Sequence, residues 1–293
     1  MSIHIRELTT LADFALAEGF QRDEWGMPVQ SVVPDHVLLT AQKNGGIVLG
    51  AFATGGAADG GDGPMIAYLF SFIGREADGQ FKHCSHQLAV APAYRGQGIG
   101  TRMKLYQREL ALAQGIKLMT WTFDPLERRN ALMNIHLLGG ISATYLPNLY
   151  GPMQNGLPMA LPSDRLLVRW ELDHARVLQR IASIHARRPM AQLVQQYRMA
   201  GAVLLNPPET DPSGGLLPRP CATSLAPQAT TLLVAIPAQM RRIREQDHEL
   251  ALAWRLHIRA VLGGACAAGY TITDMLADGE IGYYVLQQDG TRE

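Results

Sequence analysis

The chain has 293 residues and a mass of 32.0 kDa, with 26 Lys+Arg against 26 Asp+Glu and so no formal net charge. At about 150 residues per domain this length suits two domains, each large enough to bury a core. Charged residues make up 18% and apolar residues 47%, which excludes a disordered, collagenous or coiled-coil chain. A pI of 7.1 removes the broad attraction that draws proteins to polyanions, so no nucleic-acid partner is expected. The three cysteines, Cys84, Cys221 and Cys266, are an odd number without a CxxC pair, which fits a reducing, cytoplasmic setting and no metal. The first twenty residues carry acids where a signal peptide needs an apolar run, and no stretch of about 18 apolar residues occurs, so no membrane association is expected.

In chain order, residues 3–8 read as a strand. A helix capped by Thr9 or Thr10 follows to Ala17, and then a loop carrying Trp25. Residues 37–40 and 46–53 read as two strands joined at Lys43-Asn44-Gly45, because Asn-Gly suits a tight hairpin. The run TGGAADGGDGP, residues 54–64, reads as a flexible tip. Residues 65–73 and 86–90 read as further strands. Ile99, Met103, Tyr106, Leu110 and Ala113 then recur at helical spacing, with Arg102, Lys104 and Arg108 on the opposite face. Strand 117–123, helix 126–138 closed by Gly139-Gly140, and strands 141–146 and 166–172 complete the first part. Between the last two strands lies a loop, residues 147–162, with four prolines and Tyr150; long loops inside a domain are often functional.

A helix at 175–199 leads to a second unit: strand 202–205, a proline-rich loop to Pro227, strand 231–236, a long helix through Cys266, and strands at 271–276 and 283–286. The resulting division is 1–173, a linking helix 174–200, and a smaller α/β unit 201–293. Residues 88–92 with their helix and strand can be set beside residues 233–237 with theirs, so the second unit is open to being a degenerate copy of part of the first. His248 and His257 lie on the long C-terminal helix with Arg241, Arg242, Arg244, Arg255 and Arg259. Glu245, Asp247 and Glu249 are interleaved, as on a solvated, ion-paired face.

The most informative stretch is LAVAPAYRGQGIG, residues 88–100. An apolar strand and a proline lead into Arg95-Gly96-Gln97-Gly98-Ile99-Gly100 directly before a helix. Glycines admit close backbone approach, and the unpaired N–H groups and positive dipole end of the helix favour an anion such as a pyrophosphate. The spacing fits neither a dinucleotide GxGxxG nor a Walker loop.

This stretch, V-x-P-x-Y-R-G-x-G-I-G, resembles the signature of the GNAT superfamily of acyl-CoA-dependent N-acyltransferases, with R-x-x-G-x-G matched by Arg95, Gly98 and Gly100. The resemblance covers about the first 170 residues. PAYRGQGIG, TFDPLERRNALMNIHLLGG and TYLPNLYG further resemble a prokaryotic branch of predicted acetyltransferases. It implies an α/β (α+β) fold with a mixed, mostly antiparallel, splayed sheet flanked by helices, and acetyl-CoA as acyl donor. By position, backbone groups of Leu88, Ala89 and Val90 would hold the pantetheine arm and acetyl carbonyl. The amides of Arg95, Gly96, Gln97, Gly98, Ile99 and Gly100 would hold the pyrophosphate, and Asn130 would contact the cofactor.

An ammonium must lose a proton before it attacks a thioester, and histidine is the natural base. His86 shares a strand face with Leu88 and Val90, whereas Ser85 and Gln87 face the other way; a partly buried structural histidine is the alternative. Cys84 shares the His86 face but reads as buried filler. His83 and His86 point to opposite faces of a strand, so no metal site is expected there. Many GNAT enzymes carry a tyrosine four residues before the glycine that ends the second helix, to protonate the departing thiolate; here that count from Gly139 gives Ile135. His136 beside it, or Tyr145 or Tyr150 beyond it, would have to substitute, each with a structural role as the alternative.

The reading is an acetyl-CoA-dependent N-acetyltransferase acting on a small-molecule amine by direct attack in a ternary complex, with a homodimer left open. The competing reading is a noncatalytic acyl-CoA-binding sensor or assembly module, which the missing tyrosine favours.

Overall fold

The computed structural model describes residues 2–23, 26, 31–54, 62–151, 161–184, 186, 189–210, 216–217 and 229–288. Trp25, the 55–61 part of the glycine-rich tip, residues 152–160 of the proline loop and Cys221 lie outside the described residues. The fold is mixed α/β, with mostly antiparallel open sheets flanked by helices and an additional C-terminal region. The chain forms two compact units, Met1–Trp121 and Thr122–Glu293.

The first unit begins with β1 (Ser2–Glu7) and α1 (Leu11–Asp23). The start of α1 is fixed by a reciprocal cap. The Thr10 hydroxyl accepts from the Asp13 amide at 3.1 Å, and the Asp13 carboxylate accepts from the Thr9 and Thr10 amides, each at 3.1 Å. Arg6 Nη2 also donates to Asp13 at 2.8 Å. Burial alone would raise the Asp13 carboxyl, but Arg6 and the two amides together hold it well below the usual carboxylate range. The carboxylate therefore adds stability above its unfolded-state pKa, and that stability is lost as the pH falls through the acidic range. Asp13→Ala should cost about 1–2 kcal/mol at pH 7 in urea unfolding, with the difference from wild type shrinking towards pH 3. A pH-independent difference would refute the cap argument.

Residues 37–40, expected as a strand, belong instead to a helix, α2 (Asp35–Lys43). Four apolar residues cannot separate the two states, whereas Pro34 before the helix, Asp35 in its first turn and Lys43 in its last are helix-end signals. Asn44-Gly45 closes this helix rather than a hairpin. Gly45 adopts φ +87°, its amide donates to Gln42 and that of Gly46 to Ala41, the paired bonds of a left-handed helix stop.

Strands β2 (Ile47–Thr54), β3 (Met65–Arg75) and β4 (Phe81–Val90) follow, then α3 (Ile99–Ala113) and β5 (Leu118–Phe123). The order β1-β2-β3-β4 is antiparallel throughout, and β4 runs parallel to β5. Phe14, Phe20, Leu38, Val48, Phe52, Tyr68 and Phe70 pack α1 and α2 onto one face of this sheet. On α3 the buried positions are Ile99, Met103, Lys104, Gln107 and Ala111, so the inward face is rotated from the expected one and takes Lys104 inside.

The second unit opens with α4 (Arg128–Ala131), which runs into a π-helical turn (Leu132–Leu137) where Leu138 N donates to Met133 O at 3.0 Å. Then come β6 (Ile141–Leu146), β7 (Arg165–Glu171), α5 (Ala175–Ala182) and α6 (Met190–Met199), two helices where one was expected. Short strands β8 (Val203–Leu204), β9 (Glu209–Thr210) and β10 (Leu216–Leu217) precede β11 (Thr231–Pro237), α7 (Met240–Gln246), α8 (His248–Ala267), β12 (Tyr270–Asp278) and β13 (Ile281–Gln288). The larger sheet of this unit has the order β7-β6-β12-β13-β11-β8, parallel only between β8 and β11. Its core includes Val194, Leu233, Ala235, Leu276 and Val285. No described helix is long and apolar enough to cross a membrane.

Candidate functional site

In the first unit, the β3–β4 register shifts by one residue. Phe70 faces Gln87 and Ser71 faces Ser85, which leaves His86 as the extra residue of a β-bulge. Pairing between β4 and β5 comprises His83 with Met119 and Cys84 with Thr120, just before the bulge. A bulge bends the strand that carries it, and here it sits where β4 parts from β5. Alternation survives the bulge: Ser85, Gln87 and Ala89 are buried, His86 is exposed, and Leu88 and Val90 are half-buried, as the face assignment required.

Beyond β4, Ala91 N donates to Ile66 O, and residues Pro92–Tyr94 make a single tight turn. Arg95 Nε donates to Val90 O at 2.9 Å, which folds the arginine back along the strand end. Gly96 and Gly98 take φ +82° and +76°, conformations that cost other residues energy, and no atom lies within 4 Å of where a Cβ would stand on either. Arg95, Gly96, Gln97 and Gly98 are exposed, while buried Ile99 anchors the start of α3. The first helical bond runs from Arg102 N to Gly98 O, so the amides before it have no acceptor within the helix and lie at its positive end.

The His86 ring packs against Phe70 and Phe72, each centroid 6.0 Å away. Desolvation there lowers its pKa below the ordinary value, so the imidazole is neutral at pH 7. His83 is fully buried. Gln114 Oε1 lies 2.8 Å from its Nε2 and Ser71 Oγ 3.2 Å from its Nδ1, so the ring donates through Nε2 and accepts through Nδ1. Beneath the bulge, Lys104 Nζ donates to Ser85 Oγ (2.9 Å) and Gln107 Oε1 (3.0 Å) and lies 3.7 Å from the Trp121 ring centroid. Burial pulls its pKa well below that of an exposed lysine.

The second unit carries the remaining candidates. Asn130 is exposed on α4. His136 lies in the π-helical turn with Nδ1 2.8 Å from Asp274 Oδ1. Tyr145 on β6 donates its hydroxyl to Asp164 at 2.7 Å; burial and that carboxylate both raise its pKa. Tyr150 is exposed, its hydroxyl 3.2 Å from Thr122 Oγ1.

Sequence reasoning passed over the charge pairs around these groups. Arg255 is 2% exposed and donates to both oxygens of Asp124, at 2.9 and 2.5 Å. Arg259 does the same to Asp164, at 2.9 and 2.6 Å. The solvated-face reading holds for Arg241 with Glu245 but not for these two arginines. The signal was there: Arg255 interrupts the buried stripe Ala251, Ile258 and Leu262 at spacings of four, three and four. Glu127, beside them, has its pKa raised by burial and by Asp124. The Cys266 thiol is pushed up to about 11 by burial, which makes it unreactive. Among the described residues no group of three or more metal-ligating side chains occurs.

Residues 20–134 match the model of the acetyltransferase (GNAT) family. No curated protein matches the chain. Among solved structures, the ribosomal-protein-S18-alanine N-acetyltransferase from Escherichia coli is 17% identical with a TM-score of 0.45, covering 59% of this chain and 96% of its own. A GNAT acetyltransferase from Streptococcus pneumoniae is 15% identical with a TM-score of 0.45, covering 57% and 98%. The yncA protein of Salmonella typhimurium, solved with acetyl-CoA, is 18% identical with a TM-score of 0.43, covering 60% and 97%.

Proposed function

We propose that this chain, whose residues 20–134 match the model of the acetyltransferase (GNAT) family, transfers an acetyl group from acetyl-CoA to the amine of a small molecule by direct attack in a ternary complex. The observation that supports this most is the exposed, left-handed Gly96–Gly98 turn opening α3 at the end of a strand that bulges away from its parallel neighbour. In this reading the amides of Arg95, Gly96, Gln97, Gly98, Ile99 and Gly100 hold the pyrophosphate. The backbone of Leu88, Ala89 and Val90 lies along the pantetheine arm, and Asn130 contacts the cofactor. The domain division proposed with it is 1–173 for cofactor binding, 174–200 as a link and 201–293 as a C-terminal domain.

His86 is the proposed base: its neutral imidazole can take the proton that the amine must shed. His136 is the proposed proton donor to the thiolate, because Tyr145 already gives its proton to Asp164. His86→Ala should lower kcat about 100-fold with acetyl-CoA affinity unchanged. The acidic limb of the wild-type pH profile should lie below the ordinary histidine range, because the folded-state pKa is lowered and the base stays deprotonated further into acid. Undiminished turnover would remove the base assignment.

The deciding experiment is calorimetric titration with acetyl-CoA and CoA beside a free-thiol release assay on pooled amines. Binding with amine-dependent release supports the enzyme. Binding without release across the pool supports the noncatalytic acyl-CoA module, and no binding overturns the reading of the glycine loop.

A further inference from the structure

Lys104 is buried on α3, and groups from three elements of the first unit surround its head. Nζ donates to Ser85 Oγ on β4 at 2.9 Å, to Gln107 Oε1 on its own helix at 3.0 Å and to Met119 Sδ on β5 at 3.4 Å. It also lies 3.7 Å from the centroid of the Trp121 ring, again on β5. The Ser85 hydroxyl donates in turn to Gln107 Oε1 at 3.2 Å, which closes a triangle. An ammonium has three donors, and all three find acceptors here beside an aromatic face, the arrangement that makes a buried lysine tolerable. Gln107 turns its oxygen to the lysine although its Nε2 then has no hydrogen-bond partner among the described residues.

The lysine head stands where β4 and β5 part. Their pairing runs through His83 with Met119 and Cys84 with Thr120, so the next partners in register are Ser85 and Trp121. These are two of the residues that Lys104 bridges, side chain to side chain, from α3. Ser85 also immediately precedes His86, the extra residue of the bulge. One side chain therefore ties the start of the bulge to the strand that β4 leaves and to the helix that the glycine loop opens. An apolar side chain of the same length would fill this space, but a directional donor fixes the β4 hydroxyl at a set distance from β5.

We propose that Lys104 is a positioning residue for the acyl-CoA site, setting the gap between β4 and β5 beyond Cys84 and Thr120 so that the pantetheine arm lies along Leu88–Val90. This rests on the reading that the strand and its loop hold acetyl-CoA. Lys104 acts through Ser85 and Trp121 and not by contact with the cofactor. The loop at 95–100 has its own anchor in buried Ile99, so its hold on the pyrophosphate is set separately from the gap.

The test compares two ligands by calorimetry on the full chain. One is acetyl-CoA; the other is 3′-phospho-ADP, the nucleotide end of CoA, which carries the pyrophosphate without the pantetheine arm. Lys104→Met keeps most of the stem and removes the donor. It should weaken acetyl-CoA binding about tenfold or more and leave 3′-phospho-ADP within about twofold of wild type. Ser85→Ala, which removes only the contact on β4, should show the same split. Acetyl-CoA affinity kept within about twofold in Lys104→Met overturns the proposal. So does an equal loss of both ligands, which would mean that the lysine supports α3 and its loop rather than the gap. Wild-type binding of acetyl-CoA alone also overturns it, because the loop would then hold no pyrophosphate by itself. Should Lys104→Met not fold, Ser85→Ala decides by the same criteria. Absence of acetyl-CoA binding by wild type would instead overturn the acetyl-transfer reading, and this proposal with it.

Discussion

Gly98→Asp should weaken acetyl-CoA binding by two orders of magnitude or more while leaving the fold intact, and Gly98→Asn should lose far less. Gly98 stands immediately before α3 at φ +76°, with open space where a Cβ would go. Asn and Asp tolerate this left-handed conformation better than other residues with a side chain, and both are good helix caps, so neither should disturb α3 by more than about 1 kcal/mol. The two side chains have the same shape and differ in one negative charge. If the amides of residues 95–100 hold a pyrophosphate, that charge would stand about 5 Å from a doubly anionic group. At an effective dielectric near 20 each unit of repulsion there is about 3 kcal/mol, or more than 100-fold in Kd. Calorimetry on the pair separates charge from bulk. Equal losses in both variants would mean that the side chain only blocks the loop, and equal retention would mean that no phosphate binds there.

The parts of the site that were legible in the sequence are those specified locally. RGQGIG before a 3.6-residue apolar period is a loop and a helix start whatever surrounds it, and the alternation around His86 fixed the faces of β4 although the bulge itself has no local signature. Residues 37–40 fold as helix where a strand is expected because a short apolar run is compatible with both states, and Asn-Gly stops a helix as well as it closes a hairpin. The helical period puts Lys104 on the outer face, whereas the structure buries it. Its burial depends on Ser85, Gln107 and Trp121, partners that only the folded sheet assembles. Asp274 was invisible for the same reason: nothing near residue 274 tells that a bulge of β12 will meet a π-helical turn at residue 136.

Asp124→Ala should be among the most destabilising substitutions in the chain, about 3–5 kcal/mol in urea unfolding, because it strands the guanidinium of Arg255 in the interior. Burial alone would lower the pKa of Arg255, and Asp124 foremost, with Tyr145 and Asp164, more than reverses this, so the pair depends on its charge as well as its two bonds. Asp124→Asn keeps an oxygen for one of them and should cost less. Removing both charges, Asp124→Ala with Arg255→Met, should recover much of the loss, which would identify the penalty as a stranded charge rather than a missing contact. A loss below about 1 kcal/mol in Asp124→Ala would refute the argument. The consequence reaches the candidate site. Asp124 also accepts from Leu126 N, and Tyr284 on β13 donates to Pro125 O at 2.7 Å, so α8 and β13 hold the turn from which α4 and Asn130 start. Residues 122–134 lie inside the stretch matched to the acetyltransferase family, yet their conformation is fixed by residues 255 and 284, far outside it. Ending the chain before residue 201 would remove Arg255, Arg259, Asp274 and Tyr284 together and leave Asp124, Asp164 and His136 without the partners that orient them.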